Sequence, residues 1–156
     1  MTHPDVYHGD FRYDEDPPGF RAGFVNVGEQ AGGTATNVKL YLLPPGESMC
    51  PYHYEYEEEW LLILAGSVAL RTPAGTETLT AGRLVCFAPG PDGAHRISCA
   101  GEEPARVLMF SSSREPSVAV YPDSDKIGVW TGNDGDELMV RRQDAQRDYW
   151  DGEPTA

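Results

Sequence analysis

The residues of this 156-residue chain that could do chemistry are concentrated in one stretch, Cys50-Pro51-Tyr52-His53-Tyr54-Glu55-Tyr56-Glu57-Glu58-Glu59-Trp60. In an extended strand alternate side chains share a face, so His53 and Glu55 project together while Tyr52, Tyr54 and Tyr56 take the other side. If the chain turns through Glu57 and Glu58 into the apolar run that follows, Glu59 returns its carboxylate to the same inner face and the two flanking carboxylates stay in water. His95, on a later strand after a Pro-Gly turn, supplies a fourth donor. Two imidazoles and two carboxylates form a mixed nitrogen and oxygen shell suited to one divalent metal ion, Fe, Mn, Ni, Co or Zn, and the lack of thiolate argues against a structural zinc site. With a divalent ion such a shell is formally neutral. A shell of three histidines and one glutamate would keep one positive charge, so a glutamate at position 55 weakens attraction for an anionic substrate and softens the metal's Lewis acidity.

Plainer readings compete with this one. The run from Glu55 to Glu59 could be the solvated face of a hairpin, and His95 a hydrogen-bonded structural histidine. His3 and His8 fall in a polar, turn-rich N-terminus and are taken as uninvolved. Cys86 reads as a small buried strand residue, and Cys50 becomes a reactive thiol only if its environment lowers its pKa. Asn133-Asp134-Gly135-Asp136 does not fit the ligand spacing of a calcium loop in any register and reads as a surface turn.

The elements that must position these groups read as strands. Phe20 to Val27 and Thr36 to Leu43 are β-branched and aromatic with Gly punctuation. Trp60 to Leu64 is a short apolar run closed by Ala65-Gly66, and Ser67 to Arg71 follows, which suggests a strand, a tight turn and a returning strand. Thr76 to Leu79, Arg83 to Phe87, Ala94 to Cys99 and Ala105 to Phe110 continue the pattern, each bounded by Gly or Pro, as a sandwich or barrel requires. Pro44-Pro45-Gly46 followed by His53 is echoed by Pro89-Gly90 followed by His95, so two turn-and-histidine units could face each other across one barrel. After Ser111 the chain is acidic yet too aromatic for a disordered tail, and it is expected to pack on the barrel or on a partner subunit.

Composition narrows the partners. The 25 acidic residues against 12 basic ones leave a net charge of −13, which repels phosphate backbones and anionic lipid, so neither nucleic acid nor a membrane surface is expected as a partner. Residues 1–66 carry −8 of this, residues 67–122 none and residues 123–156 the remaining −5. Three cysteines cannot all pair within the chain, and the start has neither a basic n-region nor an apolar h-region, so a reducing, cytoplasmic setting is the expectation. Open sheet edges and aromatic terminal segments suggest a homodimer.

Taken together these residues resemble the cupin superfamily of small double-stranded β-helix barrels. The first cupin motif, His-x-His, three or four residues, Glu, six residues, Gly, is similar to His53-Tyr-Glu55, three residues, Glu59, six residues, Gly66. The second, a Gly, a Pro-Gly turn and a His, is similar to Gly82, Pro89-Gly90 and His95. The resemblance implies an all-β, jelly-roll-like barrel over residues 20–113, with an N-terminal arm at 1–19 and a C-terminal acidic segment at 114–156. It also implies metal ligands at His53, Glu59 and His95, with Glu55 standing where the family has its second histidine. Because cupins host dioxygenases, isomerases, lyases and binding proteins, fold alone leaves function open. The expected function is a mononuclear divalent-metal cupin acting on a small oxygenated metabolite by dioxygenase or isomerase/lyase chemistry, with Glu55 either a fourth ligand or a general base. The alternative is a non-catalytic cupin that binds or senses a small ligand, with or without metal.

Overall fold

Short runs of alternating apolar and polar residues, cut at intervals by Gly and Pro, leave little choice but antiparallel strands joined by tight turns. The structure, a computed structural model, describes residues 2–112, 114–133 and 135–154. Its strands are β1 (Gly23–Asn26), β2 (Thr36–Leu43), β3 (Tyr54–Glu55), β4 (Glu59–Ala65), β5 (Ser67–Thr72), β6 (Gly75–Thr80), β7 (Leu84–Phe87), β8 (Arg96–Cys99), β9 (Ala105–Ser112), β10 (Ser117–Tyr121), β11 (Lys126–Trp130) and β12 (Leu138–Arg141). Helical turns are confined to segments of three or four residues. One wall is the five-stranded sheet β1-β2-β9-β4-β7; facing it are β6-β5-β8 and β12-β11-β10-β3. This is the all-β double-stranded β-helix barrel expected of the sequence.

The core lies between the walls. Leu43 from β2, Leu61 and Ile63 from β4, and Val107 from β9 meet Val68 and Leu70 from β5 and Ile97 from β8, each at most 1% exposed. At roughly 25 cal/mol per Å² of apolar surface removed from water, each such side chain contributes on the order of 2 kcal/mol, which makes this layer the main source of rigidity beneath the site. A second, smaller cluster of Tyr52, Tyr54, Ala94, Val120 and Ile127 sits on the outside of β3.

Three arrangements differ from the sequence expectation. β4 and β5 do not form a hairpin: β4 pairs with β7 and β9, and β5 with β6 and β8. Gly66, at φ +75°, carries the chain from one wall to the other, and a Cβ there would lie 2.9 Å from Ala105 Cα, so the crossing is open only to glycine. Cys86 is exposed rather than buried, because it takes an outward position on the edge strand β7, and the buried cysteine is Cys99. The two histidine units do not face each other across the barrel. His53 and His95 are neighbours in one antiparallel bridge, each amide donating to the other's carbonyl at 3.1 and 2.8 Å.

Parts of the two flanking segments pack on the barrel, while residues 141–154 are exposed. Arg12 bridges to Phe24, while Val6 and Phe11 cover Val25, Val27 and Leu40 on the outside of β1 and β2. β10 pairs with β3, aligning Val120 with Tyr54 and Ala119 with Glu55. In the Asn133-to-Asp136 segment the Asp136 amide donates to the Asn133 carbonyl at 3.1 Å, a turn bond; Asp134 lies outside the described residues. No helix among the described residues is long and apolar enough to cross a membrane.

Candidate metal centre

His95 enters the site at the start of β8. Its backbone is fixed by the bridge to His53, and its ring stacks on Phe87 with centroids 3.7 Å apart and an interplanar angle of 11°. His95 Nδ1 lies 2.9 Å from the Gly93 carbonyl. A carbonyl only accepts, so Nδ1 carries the proton and Nε2 presents its lone pair inward. Gly93 is required for this arrangement, since a Cβ there would lie 1.8 Å from the Ala88 carbonyl oxygen. His53 repeats the device: its Nδ1 lies 3.0 Å from the Pro51 carbonyl, which leaves Nε2 as the free donor. Hydrogen-bonding the remote imidazole nitrogen to a carbonyl is how metal-ligating histidines are usually held in tautomer and orientation.

Between the two Nε2 atoms sits the Glu59 carboxylate, 3.9 Å from His53 and 3.7 Å from His95. The potential donor atoms of His53, Glu59 and His95 all lie within 4.8 Å of one another. Glu55 approaches His53 Nε2 at 4.0 Å but lies outside that three-residue group, and its side chain is 26% exposed against 14% for Glu59. Thus the structure brings His53, Glu59 and His95 together and sets Glu55 beside them toward the solvent side. Of the carboxylates expected to stay in water, Glu58 is exposed and accepts from Trp60 Nε1 at 2.7 Å, whereas Glu57 is half-buried and accepts from the Ser112 hydroxyl.

Burial sets the electrostatics. It pushes the Glu59 carboxyl up to about 8, with Glu55 adding repulsion, and it pulls His95 down to about 4, with His53 adding to that fall. Burial also lowers His53 and raises Glu55. Near neutral pH both imidazoles are therefore neutral, the form that binds a cation, and Glu59 is poised to give up its proton to solvent when a cation binds. His95 Nε2 is buried and has no hydrogen-bonding partner among the described residues. Leaving a buried polar atom unpaired costs about 1–3 kcal/mol, so an unpaired Nε2 aimed at two other donors fits a bound divalent ion.

Beside His53, Glu55 and Glu59 opens a cavity of about 380 Å³ whose wall includes Lys39, Tyr41, Cys50, Tyr121 and Trp130. Tyr121 stacks on His53 at 5.8 Å, and burial pushes its hydroxyl up to about 12, while burial raises Tyr41 still further, so both stay protonated donors. Burial and the two glutamates also push the Cys50 thiol well above its usual value, the opposite of the lowering that a reactive thiol needs. Sequence reasoning passed over Lys39, Tyr41, Tyr121 and Trp130. The alternation Asn37, Lys39, Tyr41 along β2 was a usable signal for the first two; Tyr121 and Trp130 reach the site only because β10 docks on β3.

Residues 39–111 match the family model described as a cupin domain. No curated protein matches the chain in sequence. Two crystal structures described as sugar phosphate isomerases share its fold. One, from Acidithiobacillus ferrooxidans, is 24% identical with a TM-score of 0.78, over 89% of this chain and 88% of its own. The other, from Silicibacter pomeroyi and described as belonging to a cupin superfamily, is 21% identical with a TM-score of 0.77, over 99% and 97%. A polyketide cyclase from Streptomyces resistomycificus is 17% identical with a TM-score of 0.62, over 73% and 80%. The chain thus contains a cupin domain over residues 39–111 and shares the fold of the two isomerase-described structures over nearly its whole length.

Proposed function

We propose that this protein holds one divalent metal ion between His53, Glu59 and His95 and isomerises a small hydroxy-carbonyl metabolite beside it. The observation that carries the reading is the buried, unpaired Nε2 of His95, whose lone pair is directed by the Gly93 carbonyl toward a buried carboxylate 3.7 Å away. An ion bound there supplies Lewis acidity to a substrate carbonyl oxygen. Every other part of the reaction falls to the protein's own side chains.

Glu55 is the group that moves the proton. It borders the cavity next to the donors, and burial raises its pKa above the usual carboxylate value, which strengthens it as a base. Its carboxylate takes a proton from the hydroxyl-bearing carbon beside the carbonyl and returns it to the former carbonyl carbon, while the hydroxyl proton passes to the former carbonyl oxygen, so carbonyl and hydroxyl exchange places and no redox partner is consumed. Tyr41 and Tyr121, held protonated, donate to the substrate oxygens as charge builds on them. Isomerase chemistry is also what the descriptions of two similar structures name.

The test is metal content together with proton exchange. Protein purified without a His-tag is expected to carry close to one equivalent of a divalent ion, and His95→Ala to lose it. Glu55→Gln is expected to keep the metal and to lose deuterium exchange from D2O into hydroxy-ketones. A well-folded protein with an empty site refutes the reading, and loss of metal in Glu55→Gln makes Glu55 a ligand instead of the base.

A further inference from the structure

Resting on the reading of the site as a metal-dependent isomerase, we propose that Lys39 and Arg114 form an anion anchor at the cavity mouth, so that the substrate is a hydroxy-carbonyl compound carrying a phosphate or carboxylate group.

β2 directs every second side chain into the cavity, and Asn37, Lys39 and Tyr41 all line it. Across the ladder, Ser111 stands opposite Asn37 and Met109 opposite Lys39, both lining the same space. Arg114 follows the end of β9 and closes this side. These two are the Lys and Arg side chains on the cavity wall. Among the described residues neither has a hydrogen-bonded or ion-paired partner for its charged group, whereas Arg21 is tied to Glu47, Arg71 to Asp123 and Arg96 to Ser48.

Charge accounting turns this into a substrate preference. Lys39 lines the same cavity as Glu55 and Glu59, so in the metal-free protein its charge answers those carboxylates. Once a divalent ion is held, the charges of Glu55 and Glu59 are formally balanced by it, and the Lys39 ammonium is left without a counter-charge in a half-open polar cavity. Arg114 is paired in the count by its neighbour Glu115, which also lines the mouth, yet its guanidinium remains unpaired. One anionic group on the substrate completes the balance, and it resolves a contradiction: a chain of net charge −13 repels anions at long range, so an anion must be selected by contacts made inside the cavity. Asn37 and Ser111 supply neutral polar groups to the same oxygens.

The experiment titrates full-length protein of measured metal content with three probes of similar size, glycerol phosphate, glycerate and glycerol, by calorimetry. Either anion is expected to bind at least tenfold more tightly than glycerol. Since a hydrogen bond to a charged group corresponds to roughly a ten- to hundredfold effect, Lys39→Met should lower anion affinity by about that factor. Lys39→Arg should restore most of it, and the exposed Arg114→Ala should lower it several-fold. The stronger of the two anions identifies the group as phosphate or carboxylate. Equal affinity for all three probes, no measurable anion binding, or anion affinity unchanged in Lys39→Met and Arg114→Ala overturns the anchor. Metal content read on the same samples keeps the two readings apart: metal-loaded protein with no anion preference removes the anchor alone, and well-folded protein that takes up no divalent ion removes the metal centre together with the charge accounting that rests on it.

Discussion

Replacing Glu59 by Gln gives a prediction whose sign is counter-intuitive for a site residue. In the metal-free protein burial holds the Glu59 carboxyl at about 8 instead of 4.5, a rise of about 3.5. A folded-state pKa raised above the unfolded value means that the folded chain keeps a proton which the unfolded chain has already released. Stability from this group is therefore fully present below pH 4.5 and is lost as pH rises through 8. At about 1.36 kcal/mol per pKa unit the ionised carboxylate costs the metal-free fold on the order of 5 kcal/mol. Gln has the same shape and no charge, so its advantage grows from about 1 kcal/mol at pH 5 to about 4 kcal/mol at pH 8. Urea unfolding in the presence of a chelator, at pH 5, 6.5 and 8, measures the difference. For a chain of this length a gain of that size corresponds to roughly 8–16 °C in Tm. The variant should also lose the stabilisation by added divalent metal that the parent shows. A Glu59→Gln protein no more stable than its parent at pH 8 without metal, or with the same pH slope, would refute both the burial argument and the poised carboxylate.

Other perturbations test the remaining links. Because Glu59 must lose its proton to accept a cation, metal binding at pH 7 should release about one proton and weaken roughly tenfold per pH unit below 8; calorimetry in buffers of different ionisation enthalpy reads this, and no proton release contradicts it. Gly93→Ala should displace the turn that carries the His95 acceptor, lowering metal affinity about ten- to hundredfold while His53 and Glu59 are unchanged, as a titration against a competing chelator would measure. Arg71→Ala removes two hydrogen bonds to Asp123 and the stacking on Tyr52, yet both charged groups are half exposed, so denaturation should show a loss of about 1 kcal/mol; a loss above about 3 kcal/mol would mean the pair organises the barrel.

Much of the wall was legible locally. Thr36 to Leu43 is a strand from end to end as its residues suggest, because β-branched and apolar positions there alternate with polar ones until Pro44-Pro45 stops the ladder. Trp60 to Leu64 and Ala105 to Phe110 behave in the same way, each extended by one or two residues at its ends. What neighbours what was not legible. Local pattern reads Ala65-Gly66 as a hairpin turn, and only the packing of Gly66 against Ala105 sends β5 into the opposite wall. Cys86 illustrates the same limit: its type says buried, but an outward position on an edge strand decides the matter.

The sequence by itself determined the donors and their spacing. His53, Glu55 and Glu59 on one turn-linked stretch, and His95 after Pro89-Gly90, follow from strand alternation and turn chemistry, which are short-range and read directly from residue types. Which of those donors converge was decided only by the tertiary structure. The His53–His95 bridge, the stacking of Phe87 and the carbonyls of Pro51 and Gly93 orient two Nε2 atoms toward Glu59, and they leave Glu55 beside the group. Tertiary burial likewise raised an ordinary glutamate to about 8, and the fold put Lys39 on the same cavity wall, because desolvation and through-space charge depend on what surrounds a group in three dimensions and not on its neighbours along the chain.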